Sequence, residues 1–263
     1  MPVAPATVHL PNHLLAMLQR QVTSWRFMLQ LGAGILVLAL SPSTYTQAFR
    51  ATTARLMVVN TWQVLPWFTS LATLLSQVLI RIVVVTAISY GLSQYALQMM
   101  VRVLVLELIP LSAAMFVAVR SGLAYNAGAK NPADFEHISQ LHQLSAQRLN
   151  TELAPHVLAD AVAVLTLAMT SCAIALVLTY LNVYGFSPWG LPGFTRTVGQ
   201  VFDLTVSLGF LIKTLLFSFA VAVVPMAASL QTPPSNSSMQ PGAVRLFVIL
   251  LLVEAASLMV KYV

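Results

Sequence analysis

The sequence predicts an all-α, polytopic membrane helical bundle with about five transmembrane helices. Three observations predict it. Only 8% of the residues are charged, where a soluble domain carries about a quarter. The apolar residues fall in long continuous runs, which favours spanning helices over the alternating strands of a barrel. Clusters of Gly, Pro and Ser break the chain between those runs.

In chain order, residues 1–60 form an N-terminal region and residues 61–263 a membrane domain. Leu10, Leu14, Leu15 and Leu18 recur at helical spacing in the first region. The run from Trp25 to Leu40 ends at Ser41-Pro42-Ser43 and is shorter than the about 20 residues a span needs. Arg20 and Arg26 precede it, as basic residues precede a signal peptide core, but it starts late and no small-residue cleavage site follows. It reads as an interfacial or half-inserted helix.

Spans are expected at 62–90, 97–119, 155–181, 201–228 and 246–260. A short turn at Gly91-Leu92-Ser93 makes the first two an antiparallel hairpin. Lys130 to Thr151 is polar, with Phe135, Ile138, Leu141 or His142, and Leu144 or Ser145 at helical spacing. Asn131-Pro132 starts that helix, expected over 132–148. It either lies on the membrane or docks into a soluble partner's groove. The stretch 182–197, with Tyr184, Phe186, Trp189 and Phe194 among Gly and Pro, reads as an interfacial loop. Residues 231–242 read as a second, turn-rich loop, and no internal repeat is detectable.

Basic residues choose the orientation. Arg20, Arg26, Arg50, Arg55, Arg120, Lys130, Arg148 and Arg245 share one side if the first span runs from inside to outside. Arg196 and Lys261 remain on the other. The N-terminus and the polar helix are therefore expected in the cytoplasm and the C-terminus outside. The net charge of +6 reflects this asymmetry rather than a nucleic-acid surface.

Several chemistries lack their residues. No GxxxxGK[ST] phosphate loop, no HExxH and no paired cysteines occur. The single cysteine, Cys172, lies in an apolar run and reads as a buried, inert thiol. His9 and His13 are spaced for a metal, but nothing nearby completes a site. His137 and His142 read as a solvated helix face. No metal site and no bound cofactor are expected.

The informative residues are charges inside the spans: Arg81, Arg102, Glu107, Lys213 and Glu254. A charge in hydrocarbon is costly, so such residues pair or face a wet cavity. Glu107 and Lys213 are the expected pair. They either lock helices together or line a polar headgroup site, and both roles are compatible. Arg81 either serves such a site or snorkels to an interface.

The run LELIPLSAAMFVAVRSGLAYNAGA resembles the signature of MlaE/YrbE-type permeases, the membrane subunits of MCE-associated lipid ABC transporters. That signature runs RELGP, several apolar residues, then GRxGSAxxAExG. Glu107, Pro110, Arg120, Gly122 and Ala124 match it. Glu136 with His137 stands where the family has a Glu-Gln in a cytoplasmic coupling helix. Pro155 opens a PRxxA-like entry, FLIKTLLFS puts Lys213 on the family's lysine, and Glu254 matches the acid of the last span. The resemblance runs from Trp62 to the C-terminus. Leu106, Ile109, Val119 and Gly128 depart from the signature. Arg102, one α-helical turn before Leu106, is expected to supply the charge that Leu106 lacks.

The resemblance implies a dimer, with a second permease copy identical or different, whose central cavity holds a phospholipid. Arg81, Arg102, Glu107 and Lys213 are its expected cavity residues. The coupling helix, with Asp134, Glu136, His137 and Gln140, and Arg120 near it, is expected to engage a cytoplasmic ABC ATPase that binds the ATP. Pro110, Gly122, Pro155 and Glu254 are expected to be structural. An MCE-domain protein would receive or deliver lipid at the outer face of the bacterial inner membrane. The chain itself is expected not to be an enzyme. The rivals are a structural subunit that has lost transport, a polytopic lipid enzyme, which would need clustered acids, and a channel, which would need a ring motif.

Overall fold

The computed structural model describes residues 23–37, 41, 47–128, 154–231 and 242–262. Among the described residues the chain is helical and contains no strand. Five helical stretches are long and apolar enough to cross a membrane: Phe49–Ser89, Tyr95–Gly122, Ala154–Tyr184, Leu204–Ala228 and Ala243–Val260. The polar helix expected at 132–148, with Asp134, Glu136, His137 and Gln140, lies outside the described residues, as do His9 and His13.

Helix α1, residues 23–37, is about 22 Å long at 1.5 Å per residue, short of the about 30 Å hydrocarbon core. Its Met28, Leu31 and Ile35 are buried in the bundle core. Gly32 lets it approach Phe219: a Cβ there would stand 3.0 Å from the ring.

The first spanning run begins earlier than expected. Helix α2, Gln47–Met57, passes through a π segment, Val58–Trp62, into α3, Leu65–Ser89. Proline in the first turn of α3 has no N–H to waste. The run ends at Gly91, whose φ of 70° is the left-handed turn glycine favours. Leu92 N donates to Ala87 O at 2.8 Å, which closes the helix end and starts the expected hairpin.

Helix α4, Ser93–Met100, enters a second π segment, Val101–Leu108, and leaves it as α5, Ile109–Gly128. Helix α6, Ala154–Tyr184, is the central strut. Ala159, Ala163, Ala168 and Ala175 on it are buried, and small side chains let spanning helices approach closely. The stretch expected as a loop to 197 is instead mostly ordered: a 3-10 turn, Pro188–Gly190, leads into α7, Leu191–Val201. Aromatic packing explains this. Tyr184 and Phe194 bracket Tyr180 with ring centroids 5.7 and 5.2 Å away, and fold the turn back on α6.

Helix α8, Leu204–Gln231, carries Lys213 and, farther on, Pro225. Helix α9, Ala243–Tyr262, completes the set. The core lies where α5, α6 and α8 meet, around Phe217, Val221, Leu167 and Ala114. The faces of α3 and α9 expose large apolar residues such as Leu71, Leu74, Leu251 and Leu252, as spans do when lipid or another span covers them.

Candidate functional site

The second π segment explains the site. Within it Ile109 N–H reaches back five residues to Leu104 O. The next residue, Pro110, has no N–H. It can serve neither Val105 O, its partner in a π ladder, nor Leu106 O, its partner in an α ladder. Side chains supply the missing donors. The Cys172 thiol donates to Val105 O at 3.3 Å, and Lys213 Nζ donates to Leu106 O, also at 3.3 Å. The expected inert thiol thus has a structural task.

Lys213 is 2% exposed and stands between two acids. Its ammonium forms an ion pair with Glu107 Oε2, which it also meets as a hydrogen-bond donor. Glu254 Oε2 lies 2.8 Å away, in the geometry of an ion pair without a directed hydrogen bond. The Phe217 ring centroid is 5.6 Å from Nζ. The cluster joins the second π segment, α8 and α9. A cavity of about 560 Å³ opens against it, lined by Glu107 and Lys213 and by apolar residues including Phe210, Leu216, Leu252 and Val260. Polar groups at one wall and hydrocarbon at the others suit an amphiphile.

The structure brings Glu107 and Lys213 together, and adds Glu254, which stood apart as a structural acid. Arg81 and Arg102 do not join them. Both are exposed and neither lines the cavity. The expected alignment of Arg102 with Leu106 assumed 3.6 residues per turn. Arg102 faces out while Leu106 is 2% exposed and packed with Val101 and Val201.

Arg120 lies at a second polar cluster, at the other end of the bundle. Its Nη1 donates to Asn60 O at 3.1 Å and its Nη2 to Val59 O at 3.3 Å, both in the first π segment. The Asn60 side chain donates to Asp160 Oδ1 on α6 at 2.8 Å. Asp160 is 6% exposed. Gly122 and Pro155 are buried close by along α5 and α6, and Pro110 is buried at the start of α5. Sequence reading missed Asn60, although an amide within the apolar run VVNTW was a signal.

Among the described residues no group of three metal-ligating side chains converges. Compared with known families, the family model described as Permease MlaE matches residues 53–259. No protein among those of curated function matches the chain.

Proposed function

The chain belongs to the MlaE permease family, as a membrane permease subunit of a lipid ABC transporter, and from that premise we propose that it holds one phospholipid headgroup at Glu107, Lys213 and Glu254. The observation that carries this is the cavity of about 560 Å³ with a buried ion cluster in its wall. The acyl chains would lie along its apolar lining. The cluster sets two carboxylates against one ammonium. A headgroup that carries its own ammonium beside the phosphate complements that balance, and a purely anionic one does not.

In this reading ATP is bound and hydrolysed by a cytoplasmic ABC ATPase. Residues 132–148, with Asp134, Glu136, His137 and Gln140, would be its contact. A second permease copy, like or unlike, would complete the cavity, with Arg81 and Arg102 free to face it. An MCE-domain protein would take or supply lipid outside the inner membrane. With the N-terminus in the cytoplasm, the cavity lies in the outer half of the bundle, where such a protein could reach it. The residues ahead of Phe49, where the first spanning run begins, would be an interfacial elbow before the permease domain.

The test is purification of the complex from its own membranes, with mass spectrometry of the lipid and proteins that accompany it. Zwitterionic phospholipid in the wild type, depleted in Lys213→Met with Glu107→Gln, is the expected result. Unchanged lipid in a variant that is merely less stable would return these residues to a purely structural role.

A further inference from the structure

The first π segment is built as an exchange. In a continuous α-helix Gln63 N–H would bond Val59 O and Val64 N–H would bond Asn60 O. Here both amides turn to Thr61 O, Val64 at 3.2 Å. The two carbonyls they abandon are those that Arg120 takes with its two terminal nitrogens. The guanidinium fork therefore replaces two backbone donors with two of its own.

A second observation points the same way. Thr53, Thr69, Thr166 and Thr179 each donate their hydroxyl to the carbonyl four residues back. Thr61 Oγ1 is buried and has no partner. A return to α geometry would offer it the Met57 carbonyl in the same way. The π register thus leaves a buried hydroxyl unsatisfied and is held by groups outside the helix. Asn60 is the pivot: its backbone is held from α5 by Arg120, and its side chain from α6 by Asp160. No ion pair joins Arg120 to Asp160 among the described residues. Ser121, next to Arg120 on α5, also hydrogen-bonds the Asp160 carboxylate, so α5 and α6 meet at this point both directly and through Asn60.

We propose that Val58–Trp62 is a two-register switch, latched in its π form by Arg120 and Asp160, which positions α2 relative to α3. Drawing α5 and α6 apart breaks one hold. Val59 and Asn60 then recover their backbone donors, and the run below the segment turns by about 100°, the rotation of one residue. Hydrogen bonds are exchanged rather than lost, which is what lets two registers lie close in energy. The residues that act here are positioning residues, since none touches the cavity. The link to transport rests on the permease reading above, because α5 and α6 are the helices that residues 129–153 connect.

The switch is tested in nanodiscs with spin labels at Ala54 on α2 and Ser70 on α3, both exposed, in a Cys172→Ala background. Asn60→Ala and Asp160→Asn should each move the distance distribution from the wild-type peak to a second one. Deletion of Val59, which removes the extra residue of the π turn, should give the first peak alone, because a continuous α-helix one residue shorter keeps α2 and α3 in the phase the π turn gives them. The swap Asn60→Asp with Asp160→Asn should restore the first. In the whole complex, lipid moved per ATP should fall about tenfold in Asn60→Ala, on the scale of a coupling between sites, and recover in the swap. One unchanged distance distribution in all variants overturns the switch, whatever the complex transports. A normal shift with no ATP-driven lipid movement in the wild type leaves the switch and removes the permease reading.

Discussion

The two π segments solve the same backbone problem in opposite ways. Each widens a spanning helix and leaves carbonyls to side chains. In Val101–Leu108 the donors are Lys213 and Cys172, and Pro110 makes their service permanent, since no backbone N–H can return. In Val58–Trp62 the donor is Arg120, and the displaced amides of Gln63 and Val64 remain at hand. One widening is fixed and carries a charge cluster beside a cavity. The other keeps its displaced backbone donors within reach and is held by Arg120 and Asp160. A proline at the right place separates a rigid site from a movable hinge.

Four experiments break or sharpen that contrast. Lys213→Ala should have the largest effect. It removes the partner of two acids and the donor to Leu106 O, and stranding buried charges costs about 3–5 kcal/mol. Thermal unfolding in nanodiscs reads it. Combining Lys213→Met with Glu107→Gln and Glu254→Gln should recover most of the stability while bound lipid stays lost. If the triple variant keeps its lipid, the cluster is a lock and not a headgroup site.

Asp160→Ala comes next. It strands the Asn60 amide, at about 1–3 kcal/mol for an unsatisfied buried group, and the same unfolding assay should place it clearly below Lys213→Ala. Equal losses would mean that the first segment is as rigid as the second.

Cys172→Ala should cost about 1 kcal/mol, the net worth of one hydrogen bond, and Cys172→Ser less, because a hydroxyl can still donate to Val105 O. If serine fares no better than alanine, packing rather than the donor explains the thiol.

Pro110→Ala should change stability least, by under about 0.5 kcal/mol. The restored N–H contributes about 1 kcal/mol, and loss of the proline's constraint on the unfolded chain takes back a similar amount. Its effect should show in hydrogen exchange instead, with residues 109–111 exchanging between two registers, as the proposed switch expects of residues 62–64. Uniform protection in both segments of the variant would dissolve the contrast.

Much of this was legible beforehand. Long apolar runs announced five spans, and the second to fifth were placed within about three residues of where the helices lie, since hydropathy marks where water stops, whereas the first begins at Phe49, well before the expected residue 62. Glu107 and Lys213 stood out because a charge inside an apolar run needs a partner. Arg102 misled because helical spacing says which residues share a face and not which neighbours cover it: Leu106 packs inward against Val201 while Arg102 stays exposed. Asn60 and Asp160 went unpaired because residues 100 apart meet only through packing. The ordered turn into α7 was missed because Gly and Pro mark breaks, and three aromatic rings packed across the break restore order.

By itself, then, the sequence determined the class, the number of spans, the family pattern and the residues rich enough in charge to matter. Those are local properties: hydropathy, period and residue type act within one helix turn or one span. Only the tertiary structure decided which acid shares Lys213, where Arg120 reaches, and that two helices widen where they do. A π turn exists only where neighbouring helices supply donors for the carbonyls it frees, and that supply comes from residues more than 50 positions away.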